Sequence, residues 1–159
     1  MSTRISQLAL RYARAALALS FLSPVADRFG LLGRFGGWGN FAAFTAYTAE
    51  VNSFMPASTI PLLAWSATAG ELLCGVGLLV CALLPARTTA SSSLPRILAL
   101  ASSILLLLFA TAMTISLGLK KPLDYSVFSA SACALLLALY PEAPHSPADL
   151  QRSPPSSSF

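Results

Sequence analysis

Charged side chains are scarce in this chain: ten Lys and Arg and six Asp and Glu among 159 residues, 10% in all. An ordinary soluble domain carries roughly 25%. With 55% of residues hydrophobic and a mean hydropathy of +0.70, too little polar surface exists to clothe a water-soluble globule. Histidine is scarcer still. His145 is the single one and falls in the C-terminal tail, which excludes a bis-histidine haem site or a nucleophile–His–acid set in the hydrophobic body. C-x-x-C, P-loop and G-x-G-x-x-G patterns are missing too. The net charge of +4 comes from scattered basic residues without interleaved aromatics, so nucleic acid is not an expected partner. Cys74, Cys81 and Cys133 all lie in apolar runs. Cys74 and Cys81 share a helix face about 10 Å apart, too far for a disulfide, and read as packing residues.

Long apolar runs are what the chain does have. They cover about 8–26, 60–84, 94–119 and 122–140, and each predicts a transmembrane helix. The basic start of the first run resembles a signal peptide, but Pro24-Val25-Ala26 is a poor cleavage site and three more runs follow. Pro85 and Arg87 close the second run, TTASSS leads into the third, and Lys120–Lys121 end it. Pro122 suits a first helical turn, with Asp124 complementing the positive helix end. The expected fold is all-α, a four-helix transmembrane bundle forming one membrane domain over 1–140. The tail 141–159, rich in Pro and Ser, is expected to be disordered. With the N-terminus inside, Arg4, Arg11, Arg14, Arg87, Arg96 and Arg152 face the cytoplasm, and Arg28, Arg34, Lys120 and Lys121 face outward. That balance favours an inner-membrane protein with both termini cytoplasmic.

The long connection 27–59 begins with the Gly- and aromatic-rich RFGLLGRFGGWGN. NFAAFTAYTAEVNSFMP then reads as a short amphipathic helix capped by Asn40, with Phe41, Phe44, Thr48 and Val51 at helical spacing. It is expected to lie in the outer headgroup region, where Trp38 and Tyr47 are also comfortable. Small residues four apart allow close helix approach in lipid: Gly70, Cys74 and Gly77–Leu78; Ala110, Thr114 and Gly118; Ser129 and Cys133, with Ala130 and Ala134.

Within TAGELLCGVGLLVCALL, Glu71 stands alone among apolar and small residues, about 16 Å of helix from the outer end. A charged acid near the bilayer centre costs at least about 2.5–3.5 kcal/mol, so Glu71 must be protonated, paired or facing a polar cavity. One reading has it bonded to a hydroxyl such as Thr68, Ser103 or Thr114 and fixing helix register. The other makes it a ligand contact or proton-handling group. The topology also gathers Asp27, Arg28, Glu50, Asn52, Trp65, Lys120, Lys121, Asp124 and Tyr125 at the outer face. They form either a polar pocket above Glu71 or a belt of interfacial anchors, with an Asp27–Lys120 ion pair pinning the bundle. Arg11 and Arg14 share one helix face and are expected to snorkel to the cytoplasmic headgroups.

Arg11 early in the first span, Asp27–Arg28 at its end, GELLCGVGLLVCALLPAR in the second and AMTISLGLKKPLDYSVFSAS joining the last two resemble the DoxX family over residues 5 to 140. The resemblance implies a small four-helix membrane protein. It matches Glu71 to the family's acid of the second span and Arg11 to its first-span arginine. It also implies an accessory, non-catalytic subunit of a membrane oxidoreductase, with no intrinsic cofactor and quinone as the group contacted. In that reading Glu71 handles the proton or hydrogen bond, and Lys120, Tyr125 and Asp27 line the outer approach. The competing readings are a small proton-coupled transporter, which would need a homo-oligomer, and a structural membrane scaffold.

Overall fold

The computed structural model describes residues 3–84 and 93–140. The linker with Pro85 and Arg87, the tail with His145 and Arg152, and the Arg4 side chain lie outside the described residues. The described residues are all-helical, with six α-helices and two single 3-10 turns at Gly33–Phe35 and Ala57–Thr59. The helices are α1 (Thr3–Arg28), α2 (Phe41–Val51), α3 (Ile60–Leu83), α4 (Leu94–Leu117), α5 (Lys120–Asp124) and α6 (Val127–Leu139).

Local chemistry sets most of these boundaries. Asn40 caps α2 by accepting from the Ala43 N–H at 2.8 Å. Prolines sit in the first turns of α3 and α4, where a missing N–H costs nothing. Gly118, at φ +84°, ends α4 in a conformation closed to other residues. Two boundaries differ from expectation. α1 runs two residues past Ala26 and takes Asp27 and Arg28 into its last turn. The fourth apolar run is broken: Ser126 adopts a left-handed conformation, φ 56°, separating the five residues of α5 from α6. The polar Lys120, Lys121 and Asp124 thereby stay on a separate exposed turn.

α3 and α4 are long and apolar enough to cross a membrane, with peak mean hydropathies of 1.8 and 2.3. α1 carries Arg11 and Arg14 along its length, and α6, at 13 residues, is shorter than the roughly 20 a span needs.

α1 lies along α3 and α4 along α6, while α3 joins the two pairs and α6 also touches α1. Their common core is Leu17, Ala18 and Phe21 with Cys74, Leu78, Ala99, Ala134, Leu137 and Ala138. Small residues permit this closeness. A Cβ on Gly75 would lie 2.8 Å from Leu22 Cγ and 3.1 Å from Phe21 Cβ. Between α4 and α6, Ser103 and Ser131 each donate to the other's carbonyl, at 3.0 and 2.9 Å. The inward face of α6 is therefore Ser131, Ala134 and Ala138, whereas Ser129 is exposed.

The outward faces are apolar. Leu73 and Leu83 on α3, Ile97 and Leu108 on α4, and Leu136 on α6 are all more than half exposed. Arg14, Arg28, Thr68, Glu71, Ser102, Ser103 and Ser131 are buried. Large apolar side chains thus cover much of the outside, and a set of polar side chains is buried beside the apolar core.

Gly75→Ala is expected to lower stability by about 1–3 kcal/mol through overpacking against two residues of α1. Gly70→Ala, whose new Cβ meets a Leu105 methyl at 3.3 Å, should cost clearly less. Thermal unfolding in mild detergent, followed by circular dichroism, measures both.

Candidate functional site

The buried residues of α3 follow one helical stripe: Ile60, Ala64, Thr68, Glu71, Cys74, Gly75, Leu78, Cys81 and Ala82. Glu71 belongs to that stripe and turns into the protein. The matching stripe on α1 is Arg14, Leu17, Ala18, Phe21, Val25 and Arg28. Because α1 continues through Arg28, the two stripes bring an arginine to the acid.

Arg28 Nη2 lies 2.6 Å from Glu71 Oε2, with the two side chains 2% and 7% exposed. Arg28 Nη1 donates to Thr68 Oγ1 at 2.8 Å, one turn above Glu71. Thr68 can accept because its own hydroxyl donates to the Ala64 carbonyl at 2.8 Å. The guanidinium carbon sits 3.5 Å from the centroid of the Phe44 ring and 5.6 Å from that of Trp38. Ring faces carry negative potential, so they favour a cation where water is excluded. The group is not saturated. Arg28 Nε is buried without a hydrogen-bond partner. The hydroxyls expected to serve Glu71 are engaged elsewhere: Thr68 with Arg28, Ser103 with Ser131, and Thr114 with the Ala110 carbonyl.

Asp27 builds the roof. Its carboxylate accepts from the backbone N–H groups of Gly37 and Trp38 at 2.8 Å each and of Gly39 at 3.2 Å. A Cβ at Gly36 would overlap Asp27 Oδ1, so glycine is required for the loop to close. The closed loop places Trp38 edge-on to Phe44, with centroids 5.2 Å apart. α2 completes the roof, burying Phe44, Thr48 and Val51. Its apolar face thus covers the protein rather than lipid, while Ala42, Ala46, Ala49 and Glu50 face outward. The expected short helix capped by Asn40 exists, and its amphipathic face serves the cap. Beside it, Phe41 packs at a tilt against the half-exposed Trp65, with ring centroids 4.3 Å apart.

The remaining expected site residues are dispersed. Lys120 pairs with Asp124 at 2.6 Å, exposed on both sides, so the expected Asp27–Lys120 pair is not formed. The reason is local: Lys120 and Asp124 are four apart on one turn, and Asp27 is consumed by the loop. Tyr125 is 61% exposed and lies near Tyr47. Burial, then Tyr125 and Glu50, push the Tyr47 hydroxyl above its usual range. Arg11 lies far from Glu71, at the opposite end of α1, with Nη2 at 3.4 Å from the Leu84 carbonyl. Arg14 is buried rather than snorkelling, 3% exposed. Arg28 belongs to the polar cluster expected above Glu71, but its direct pairing with the acid is not expected, because charges at the end of an apolar run read as the place where the span stops.

Comparisons with protein-family models, curated proteins and solved structures find no match to this chain.

Removing one member of the pair, by Glu71→Gln or Arg28→Gln, is expected to destabilise the fold by about 3–5 kcal/mol, whereas the apolar double variant Arg28→Met/Glu71→Leu should be near neutral. Unfolding midpoints of the three variants decide this. Asp27→Asn should leave helix content intact but open the loop. The readout is a red-shifted Trp38 emission in a Trp65→Phe background, with faster cleavage within residues 29–40.

Proposed function

We propose that this chain is an integral inner-membrane protein of DoxX-like architecture, a four-helix bundle with cytoplasmic termini, acting as a non-catalytic subunit of a quinone-linked redox complex. The observation that carries this reading is the buried Arg28–Glu71 pair, which keeps an unused guanidinium N–H beneath an aromatic roof. The exposed leucine-rich faces support the membrane placement, since they suit lipid and buried polar groups suit helix–helix contact.

A quinone carbonyl is a neutral acceptor that a buried guanidinium can bind without a second charge, and its ring suits the aromatic faces beside Arg28. Reduction of a bound quinone to quinol would take up two electrons, supplied by a partner subunit's cofactor, and two protons drawn from the aqueous side, of which Glu71 would relay one. The chain's own part is to orient the ring and to hold and pass that proton.

Two measurements test the proposal. The protein should resist carbonate extraction from membranes, and quinone should copurify with it in mild detergent. A short-chain quinone should quench Trp38 emission saturably, and the Arg28→Met/Glu71→Leu variant should bind about tenfold more weakly. If the wild-type protein carries no quinone and shows no saturable quenching, the quinone reading fails and a structural scaffold stands in its place.

A further inference from the structure

A second guanidinium, at the opposite end of α1, has no part in the proposed quinone site. We infer that Arg11 anchors a binding site for the phosphate of an anionic phospholipid in the cytoplasmic leaflet, where α1 passes the C-terminus of α3. The inference rests on the membrane placement and orientation proposed above.

Arg11 is held but not satisfied. It stands one turn before Arg14 on the inward stripe of α1 and is itself half-buried. A guanidinium offers five N–H donors. Nη2 reaches the Leu84 carbonyl at 3.4 Å, a long bond to the C-cap of α3, and Nε is buried without a partner. The negative end of α3 thus fixes the side chain in place without neutralising it. An arginine that merely snorkelled would keep all its donors in water; here Nε is buried and Nη2 leans on the α3 C-cap, which leaves the outer edge of the half-buried fork to meet a phosphate.

No described carboxylate serves it. Asp27 is bound to the loop, Glu71 to Arg28 and Asp124 to Lys120, and Glu50 lies beside Tyr47. All four belong to the other end of the molecule. Around Arg11 the exposed side chains are Leu8, Tyr12 and Leu83, each at least 67% exposed. Leucines suit acyl chains, and a tyrosine suits the headgroup level. Phosphate oxygens match the planar N–H fork of a guanidinium, and basic pockets between helices on the cytoplasmic side suit anionic headgroups. Free phosphate presents the same oxygens, so the acyl chains distinguish the two sources.

The test uses the full chain in mild detergent and native mass spectrometry. The probes are phosphatidylglycerol, phosphatidylcholine with the same acyl chains, and inorganic phosphate. The wild-type protein should retain phosphatidylglycerol about tenfold better than phosphatidylcholine. Arg11→Gln should abolish that preference, Arg11→Lys should keep part of it, and Arg34→Gln, on the exposed outer loop, should leave it unchanged. Because Arg11 also holds the Leu84 carbonyl, Arg11→Lys guards against a variant lost through misfolding. Equal retention of the two lipids, or a preference unchanged in Arg11→Gln, overturns the site. Displacement of phosphatidylglycerol by equimolar phosphate assigns a free anion instead and overturns the lipid. Selectivity that the wild type lacks but Glu142→Gln gains would give Arg11 to the tail carboxylate, and also overturns it. Failure of the membrane placement itself is separate: the chain would then be released by carbonate.

Discussion

The contact between Arg28 and Glu71 organises the half of the molecule that α2 covers. It fixes the last turn of α1 against α3 at the level of Thr68 and Glu71, two to three turns below the first residue of α3. α1 therefore stops well short of the end of α3, and something must fill the space above it. The Gly-rich loop and α2 do so. Asp27, next to Arg28, ties the loop down through three backbone N–H groups, and Phe44 of α2 closes over the guanidinium. Adjacent residues on one helix turn thus divide the work: Arg28 secures the helix, and Asp27 secures the cover.

The other half is held by a different principle: contact there depends on close backbone approach and on polar groups that find partners across the interface. Gly75 against Phe21 and Leu22 supplies the first between α1 and α3. The reciprocal Ser103–Ser131 hydrogen bonds supply the second between α4 and α6. Leucines, freed from core duty, populate the outer surface. An aqueous environment would make that surface a liability, which the proposed membrane placement removes.

Much of this was legible in the residues. The helical stripe through Thr68, Glu71, Cys74 and Leu78 is a simple 3.6-residue period, and it states that Glu71 faces inward. Asn40 before a run of aromatics at helical spacing announced α2. What escaped was the partner. Arg14, Leu17, Ala18, Phe21, Val25 and Arg28 obey the same period, so the inward position of Arg28 was written in α1. The boundary hid it, because charges at the end of an apolar run read as the place where a span stops. The break at Ser126 and the pairing of Lys120 with Asp124 were equally obscured. A left-handed serine carries no sequence mark, and an i,i+4 pair competes locally with any longer-range partner.

The energetics of the pair bear on its purpose. Two buried charges lose hydration worth several kcal/mol each, and their attraction repays this only when every remaining donor and acceptor is engaged. Here Arg28 Nε is not. An arrangement serving stability alone would do as well with two apolar side chains of similar volume. The unsatisfied donor sits beneath Phe44 and Trp38, where an acceptor with a flat ring would complete the set. The incompleteness of the pair, more than its charge, favours a bound group over a structural staple.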